Sequence, residues 1–217
     1  MCPSCMELGQ EMFERGLPSV EEVRERIDGV RPRVHRLALR FQYLTAGRRS
    51  EVCGKWWFPA ENVSLEEWVG EEAVVFYVKT AKRKGKIRPV ALPLNPDYEP
   101  WTQSLYDYML KRKRGRAFPF SDKTLYRASV KAFDGLWYPI EDYKDIQRHW
   151  RPLATHGLRH VRAKELLEFY GFSAQELAVY CGWSLRSVMR GAVSVLERYV
   201  TLQWRDYFPK LLRRRVI

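Results

Sequence analysis

A chain of 217 residues is long enough for one full-sized domain, and 46% of it is apolar or aromatic, ample for a core. Its formal charge of +12 and pI of 9.7 point to a polyanionic partner. Four cysteines are too few for a disulfide scaffold, and no long apolar span, signal peptide or lipidation motif is present. A secreted module and a membrane protein are therefore excluded, and a cytoplasmic location is expected.

Positive charge is concentrated in three places. Lys79, Lys82, Arg83, Lys84, Lys86 and Arg88 fall close together without an intervening acid, Lys111 to Arg116 form a second run, and Arg213 to Arg215 a third. One such run often marks only a solvated face, but three favour nucleic acid. Cys2 and Cys5 make a C-x-x-C, whereas Cys53 and Cys181 are solitary. A four-ligand zinc set is not spelled out, and no metal or other cofactor is expected. Asn62 and Asn95 are the only asparagines while Arg and Glu abound, a balance compatible with a thermophilic source.

Residues 1–16 read as a short lead with a helix near Met6–Arg15. Ser19 opens the next helix: it can cap, Glu22 stands three residues on as in a capping box, and Gly29 and Pro32 end the helix after Asp28. Arg33–Leu44 follows as a helix with Leu37, Leu39, Phe41 and Leu44 apolar. Thr45 or Ser50 can cap a short helix after it, and Glu51, three residues past Arg48, can hold that guanidinium in one pose. Trp56-Trp57-Phe58 and Ala73–Val78 are strand-like. The second of these enters the basic turn Thr80–Lys86 and returns through Ile87–Leu92, a hairpin with a lysine-rich tip.

Tyr98–Lys113 and Asp122–Phe133 have helical periodicity, the latter with Leu125 and Val130 inward. Residues 134–155 read as an irregular connection with a short helical piece near Glu141–Arg151. Further on, Ser173 and Glu176 form a capping box for a helix that Gly182 stops, and Ser187–Val193 and Leu196–Phe208 complete the chain. The fold class is mainly α with a small antiparallel β-sheet or hairpin (α+β), with residues 17–217 expected to form one domain.

Between the irregular connection and that capping box lies His156-Gly157-Leu158-Arg159-His160, running into Ala163–Leu167 and ended by Gly171. On a helix, residues three apart share a face, so His156 and Arg159 project side by side while Leu158, Val161 and Leu166 serve neighbouring faces. A forked guanidinium beside an imidazole suits a phosphate. The first donates two hydrogen bonds to its oxygens, and the second donates another or shuttles a proton. A surface His and Arg on an ordinary helix would leave the same letters; the company they keep favours the phosphate.

In chain order, Thr45-Ala46-Gly47-Arg48-Arg49-Ser50-Glu51, a hairpin lysine, His156-x-x-Arg159-His160 with Ala163 and Leu166-Leu167, and Gly182-Trp183-Ser184 resemble the catalytic domain of the tyrosine recombinase (integrase) family. The likeness runs from Leu17 to Phe208, and the Arg-rich, Asn-poor composition resembles archaeal plasmid and viral integrases, proteins of mobile elements. The resemblance implies site-specific recombination or integration of double-stranded DNA. A tyrosine attacks a phosphodiester at the target site, the 5′-hydroxyl leaves, and a 3′-phosphotyrosine stores the bond without metal or nucleotide. The resemblance assigns Arg48 and Arg159 to the scissile phosphate and His156 to the tyrosine's proton. Lys79, with Lys82 as the alternative, is assigned to protonate the leaving oxygen. Trp183 stands where most members have a second histidine and takes a hydrogen-bonding and packing role. A tetramer on two DNA sites is also implied.

The family's tyrosine usually lies about nine residues past the Trp183 position, a slot that Ala192 fills. Tyr199 is sixteen past it, and the added length is about two helical turns, which keeps the same face forward. Arg198 before it, and Val200 and Leu202 after, fit the family's habit, so Tyr199 is the expected nucleophile. The alternative is a catalytically inactive DNA-binding module whose alanine at position 192 marks a lost tyrosine; a type IB topoisomerase-like enzyme would share the chemistry. Residues 1–16 are too few for the amino-terminal core-binding domain of such recombinases, which is expected to be absent. The segment Leu202–Ile217 can dock on a neighbouring protomer or fold back on its own core.

Overall fold

The computed structural model of the chain describes residues 17–53, 59–81, 86–141, 148–183 and 202–214. The expectations for Met6–Arg15, Trp56-Trp57-Phe58 and Ser187–Val193 lie outside these residues, as do Cys2, Cys5, Lys82, Ala192 and Tyr199.

Helices form where the local signals are strongest. Helix α1 (Val20–Asp28) starts at Ser19, whose hydroxyl accepts from the Glu22 N–H at 3.1 Å, and stops at Gly29. Helix α2 (Arg33–Leu44) buries Leu37, Leu39, Phe41 and Leu44, as its periodicity predicts. Helix α3 (Arg49–Cys53) departs from expectation at its start. Thr45 does not cap it, because in helical conformation its hydroxyl finds the Phe41 carbonyl four residues back, at 2.6 Å. Ser50 lies inside the helix, and the Glu51 carboxylate takes up the Arg48 N–H at 3.0 Å instead.

A 3-10 turn (Pro59–Asn62) leads into β1 (Val63–Trp68), β2 (Glu71–Lys79) and β3 (Ile87–Pro93). They form an antiparallel sheet in the order β1-β2-β3, with Phe76 opposite both Val63 and Val90. The expected hairpin is therefore part of a three-stranded sheet. Strand β1 escapes sequence reading because consecutive Glu66 and Glu67 break its alternation. Its turn into β2 places Val69 at φ +50 ahead of Gly70 at φ +77, a position where a β-branched residue gives no turn signal.

Helix α4 (Thr102–Leu110) is shorter than the Tyr98–Lys113 pattern, since Glu99 and Pro100 sit in the turn before it. Helix α5 (Asp122–Ala132) is capped by Ser121 and buries Leu125 and Ser129, with Phe133 continuing that face. Val130 does not point inward; five residues on from Leu125 it lies about 140° round the helix and is 38% exposed. Where a helical piece is expected near Glu141–Arg151, β4 (Trp137–Glu141) pairs antiparallel with β5 (Arg148–Pro152). Aromatic and branched residues such as Trp137, Tyr138, Ile140 and Trp150 favour strands there. Helix α6 (Thr155–Glu168) carries the His-x-x-Arg segment, and α7 (Ala174–Cys181) closes both bonds of the Ser173–Glu176 capping box before Gly182 ends it at φ +66. Helix α8 (Trp204–Leu211) folds back on the core, burying Trp204, Tyr207, Phe208 and Leu211. The Tyr207 hydroxyl accepts from the Ala91 N–H and donates to the Pro89 carbonyl of β3. Among the described residues no helix is long and apolar enough to cross a membrane.

The helices meet around a buried charged network. Arg24 of α1 makes two bonds to Glu99, at 3.0 and 2.7 Å, and lies 3.5 Å from Glu165 of α6. Arg162, 1% exposed, donates to Glu165 at 2.6 Å and to the Tyr180 hydroxyl at 3.2 Å. The Tyr43 hydroxyl donates to Glu165 at 2.8 Å, and Tyr180 in turn donates to the Leu44 carbonyl. Burial and the Glu165 charge push the Tyr43 phenol well above its ordinary value, so it remains a donor. Two arginines and two glutamates cancel, which is what makes their burial tolerable. Arg162→Leu is expected to cost about 3–5 kcal/mol in chemical denaturation, because it leaves Glu165 short of a partner. Arg214→Ala, which removes a surface pair with Asp97, should leave the midpoint unchanged.

Candidate functional site

Where α2, α3, α5, the β4–β5 pair and α6 converge, they leave a cleft of about 440 Å³. Its lining comprises Gly47, Arg48, Arg49, Ser50, Tyr126, Tyr138, Arg151, Pro152, Ala154, Thr155, His156 and Arg159. Among the described residues of the lining stand four arginines and a histidine, and no carboxylate. The amino end of α6 adds to the positive field: Ala154 provides no side-chain cap, and the first turn holds no acid. Gly157 lets α6 approach the β4–β5 pair, since a Cβ there would lie 2.5 Å from Leu153 Cδ1 and 2.9 Å from Tyr138 Cδ1.

Of the residues singled out in the sequence, Arg48, His156 and Arg159 are brought together in this cleft. Trp183 stands behind it, with the Arg159 guanidinium 5.3 Å from the centre of its ring. Lys79 ends β2, half-buried, and is not part of the lining. The base of its hairpin is nevertheless tied to the site, because the Ala81 N–H donates to Glu51 Oε1 at 2.9 Å.

Arg48 is held as its spacing predicts, with Nη1 2.9 Å from Glu51 Oε1. Glu51 is fully buried, and burial alone would raise its pKa. Arg88, the N–H groups of Ala81 and Arg48, and the Arg48 guanidinium outweigh that cost and hold the carboxyl below its ordinary value. Arg159, 4% exposed, donates from Nη1 to the Ala46 carbonyl at 2.7 Å and from Nη2 to the Cys181 carbonyl at 2.6 Å. Burial pulls its pKa down to about 10, with the like charges of Arg48 and Arg88 adding to the effect. Arg24 and Arg162, equally buried, shift the other way because each has a glutamate against it. Among the described residues Arg159 has no carboxylate within ion-pair reach, so an anion in the cleft would relieve it.

His156 is exposed on the cleft side and packs edge-on against His160, ring centres 4.9 Å apart; His160 stacks on Tyr138 at 5.5 Å. Desolvation, with His156 and Arg159 nearby, pushes His160 down and favours its neutral form.

Sequence reading passed over Arg49, Arg151 and Tyr126 as lining residues, and counted Arg88 only among the cations of the basic run. Arg49 lies over the Tyr126 ring at 5.6 Å and pairs with Asp122 at 3.3 Å. Arg88 is 5% exposed, yet in sequence it looks like one more cation of the lysine-rich turn. The signal was its strand position: with alternation in β3, Arg88 and Val90 share the inward face while Ile87 is exposed.

No protein-family model and no curated protein matches the chain. Among solved structures it is similar to the lambda integrase catalytic core, at 17% identity and a TM-score of 0.46, over 82% of this chain and 95% of that one. It is also similar to the catalytic domain of bacteriophage HP1 integrase, at 19% identity and a TM-score of 0.41, over 89% of each chain.

Gly157→Ala is expected to lower stability by about 1–3 kcal/mol in denaturant titrations, through overpacking against Leu153 and Tyr138. A second expectation concerns acid. The stability that Glu51 contributes is present above its unfolded value near 4.5 and is lost as pH falls through its lower folded value. The stability gap between the parent chain and Glu51→Gln should therefore be widest at neutral pH and close as pH drops below about 4.5, measured by urea unfolding across a pH series.

Proposed function

We propose that residues 17–217 form the catalytic domain of a site-specific DNA recombinase of the tyrosine recombinase (integrase) type. The observation that carries this reading is the convergence of Arg48 with His156 and Arg159, distant from it in sequence, on one cleft whose described lining holds no carboxylate. A buried guanidinium short of a countercharge suits a phosphodiester, and the chain's charge of +12 suits the rest of the duplex.

In this mechanism Arg48 and Arg159 donate to the nonbridging oxygens and stabilise the charge that grows on them as phosphorus is attacked. Tyr199 supplies the attacking oxygen and gives its proton to His156. The bond from phosphorus to the 5′ oxygen breaks, and Lys79 or Lys82 protonates that oxygen as it leaves. Trp183 packs behind Arg159 and can donate its indole N–H. Attack by the 5′-hydroxyl of a second strand on the phosphotyrosine reverses these steps and rejoins the DNA, so the exchange needs neither metal nor nucleotide. Pairing two target sites within a tetramer belongs to the same reading. Ala192, in the family's usual tyrosine slot, favours a second one: a DNA-binding module without its nucleophile.

A pool of nicked suicide duplexes of randomised sequence, scored for covalent protein–DNA adduct on a denaturing gel, separates the two. The expected result is adduct from the parent chain that is lost in Tyr199→Phe. Adduct only after Ala192→Tyr would establish the second reading, and DNA binding without adduct from either chain would remove the strand-transfer assignment.

A further inference from the structure

Arg88 and Arg159 reach the same two turns from opposite sides. From β3, Arg88 donates through Nη2 to the Thr45 carbonyl at 2.9 Å and through Nη1 to the Tyr180 carbonyl. From α6, Arg159 donates to the next carbonyl in each turn, Ala46 at 2.7 Å and Cys181 at 2.6 Å. One of those turns leads to Arg48 and the other to Trp183. Arg88 Nη2 also stands 3.5 Å from Glu51 Oε2, while Glu51 Oε1 holds Arg48. Room for this side chain is built into the backbone: a Cβ on Gly182 would lie 2.7 Å from Arg88 Cδ and 3.1 Å from its Nε.

We propose that Arg88 is a positioning residue of the cleft, fixing through Glu51 and the Thr45 and Tyr180 carbonyls the pose in which Arg48 and Arg159 meet a phosphate. This assignment rests on the strand-transfer reading of the cleft. Arg88 acts through other groups and touches no reacting atom. Among the described residues, the charges that face Glu51 are Arg48 on its own segment, Arg88 on β3 and Arg159 on α6, together with the N–H groups of Arg48 and Ala81. Of the guanidinia, Arg88 contributes most to keeping Glu51 ionised, so its removal leaves a signature that general destabilisation would not produce.

The test compares the parent chain with Arg88→Met by two measurements. The Glu51 carboxyl is titrated by 13C NMR without DNA, and the rate of adduct formation on the nicked duplexes is followed across pH. In Arg88→Met the Glu51 titration should move to higher pH by about one pH unit, the acid limb of the adduct rate should move with it, and the rate should fall about tenfold or more. An unchanged Glu51 titration in folded Arg88→Met overturns the proposal, and so does a parental adduct rate. If the parent forms no adduct, the strand-transfer reading fails, and the Glu51 titration alone decides whether Arg88 holds this carboxylate. Should Arg88→Met fail to fold, Arg88→Lys replaces it. That variant keeps the charge but cannot bridge the two carbonyls, so Glu51 should titrate as in the parent while adduct formation still falls about tenfold; a parental rate would overturn the assignment.

Discussion

Burying positive charge is costly, and Glu165 is the carboxylate around which two of the buried arginines, Arg162 and Arg24, gather. Its carboxylate meets Arg162 on its own helix, Arg24 from α1 and the Tyr43 hydroxyl from α2. With Glu99 closing the account for Arg24, the packing of α1, α2, α6 and α7 is organised around a neutral cluster rather than around hydrocarbon alone. Such a cluster contributes little net stability compared with an apolar core, but it tolerates few alternative arrangements.

The same helix then shows what happens when the carboxylate is withheld. Arg159 and Arg162 are three residues apart, similarly buried, and chemically identical. Arg162 has a glutamate and is locked into the fold; Arg159 has two backbone carbonyls and a tryptophan face, and opens on the cleft. A backbone carbonyl carries only a partial charge, so Arg159 is oriented without being neutralised. Orientation without neutralisation is what a binding site for an anion requires of its guanidinium.

Helix starts and stops were legible because their causes are local. Ser19, Ser121 and Ser173 cap the helices that follow them, and Gly29 and Gly182 end theirs. The pairing of Arg48 with Glu51 was readable for the same reason, since three residues on one turn must meet. What stayed hidden depends on partners remote in the chain. Strand β1 is an edge strand whose place is set by pairing with β2, and the β4–β5 pair hides in a stretch whose charges interrupt any period. Arg88 was hidden by its neighbours: beside several lysines it reads as solvated, and only the partners at Thr45, Glu51 and Tyr180 reveal that it is buried.

The uncapped start of α6 gives the cleft a second source of attraction, with its own properties. Peptide dipoles do not titrate, and substituting a side chain does not remove them. The pull on an anion is thus divided between guanidinium and imidazole groups, which pH and mutation can reach, and a backbone contribution that neither alters. A cleft stripped of Arg48, Arg49, Arg151, His156 and Arg159 would keep a faint preference for negative charge at the amino end of α6, sensitive to salt and indifferent to acid.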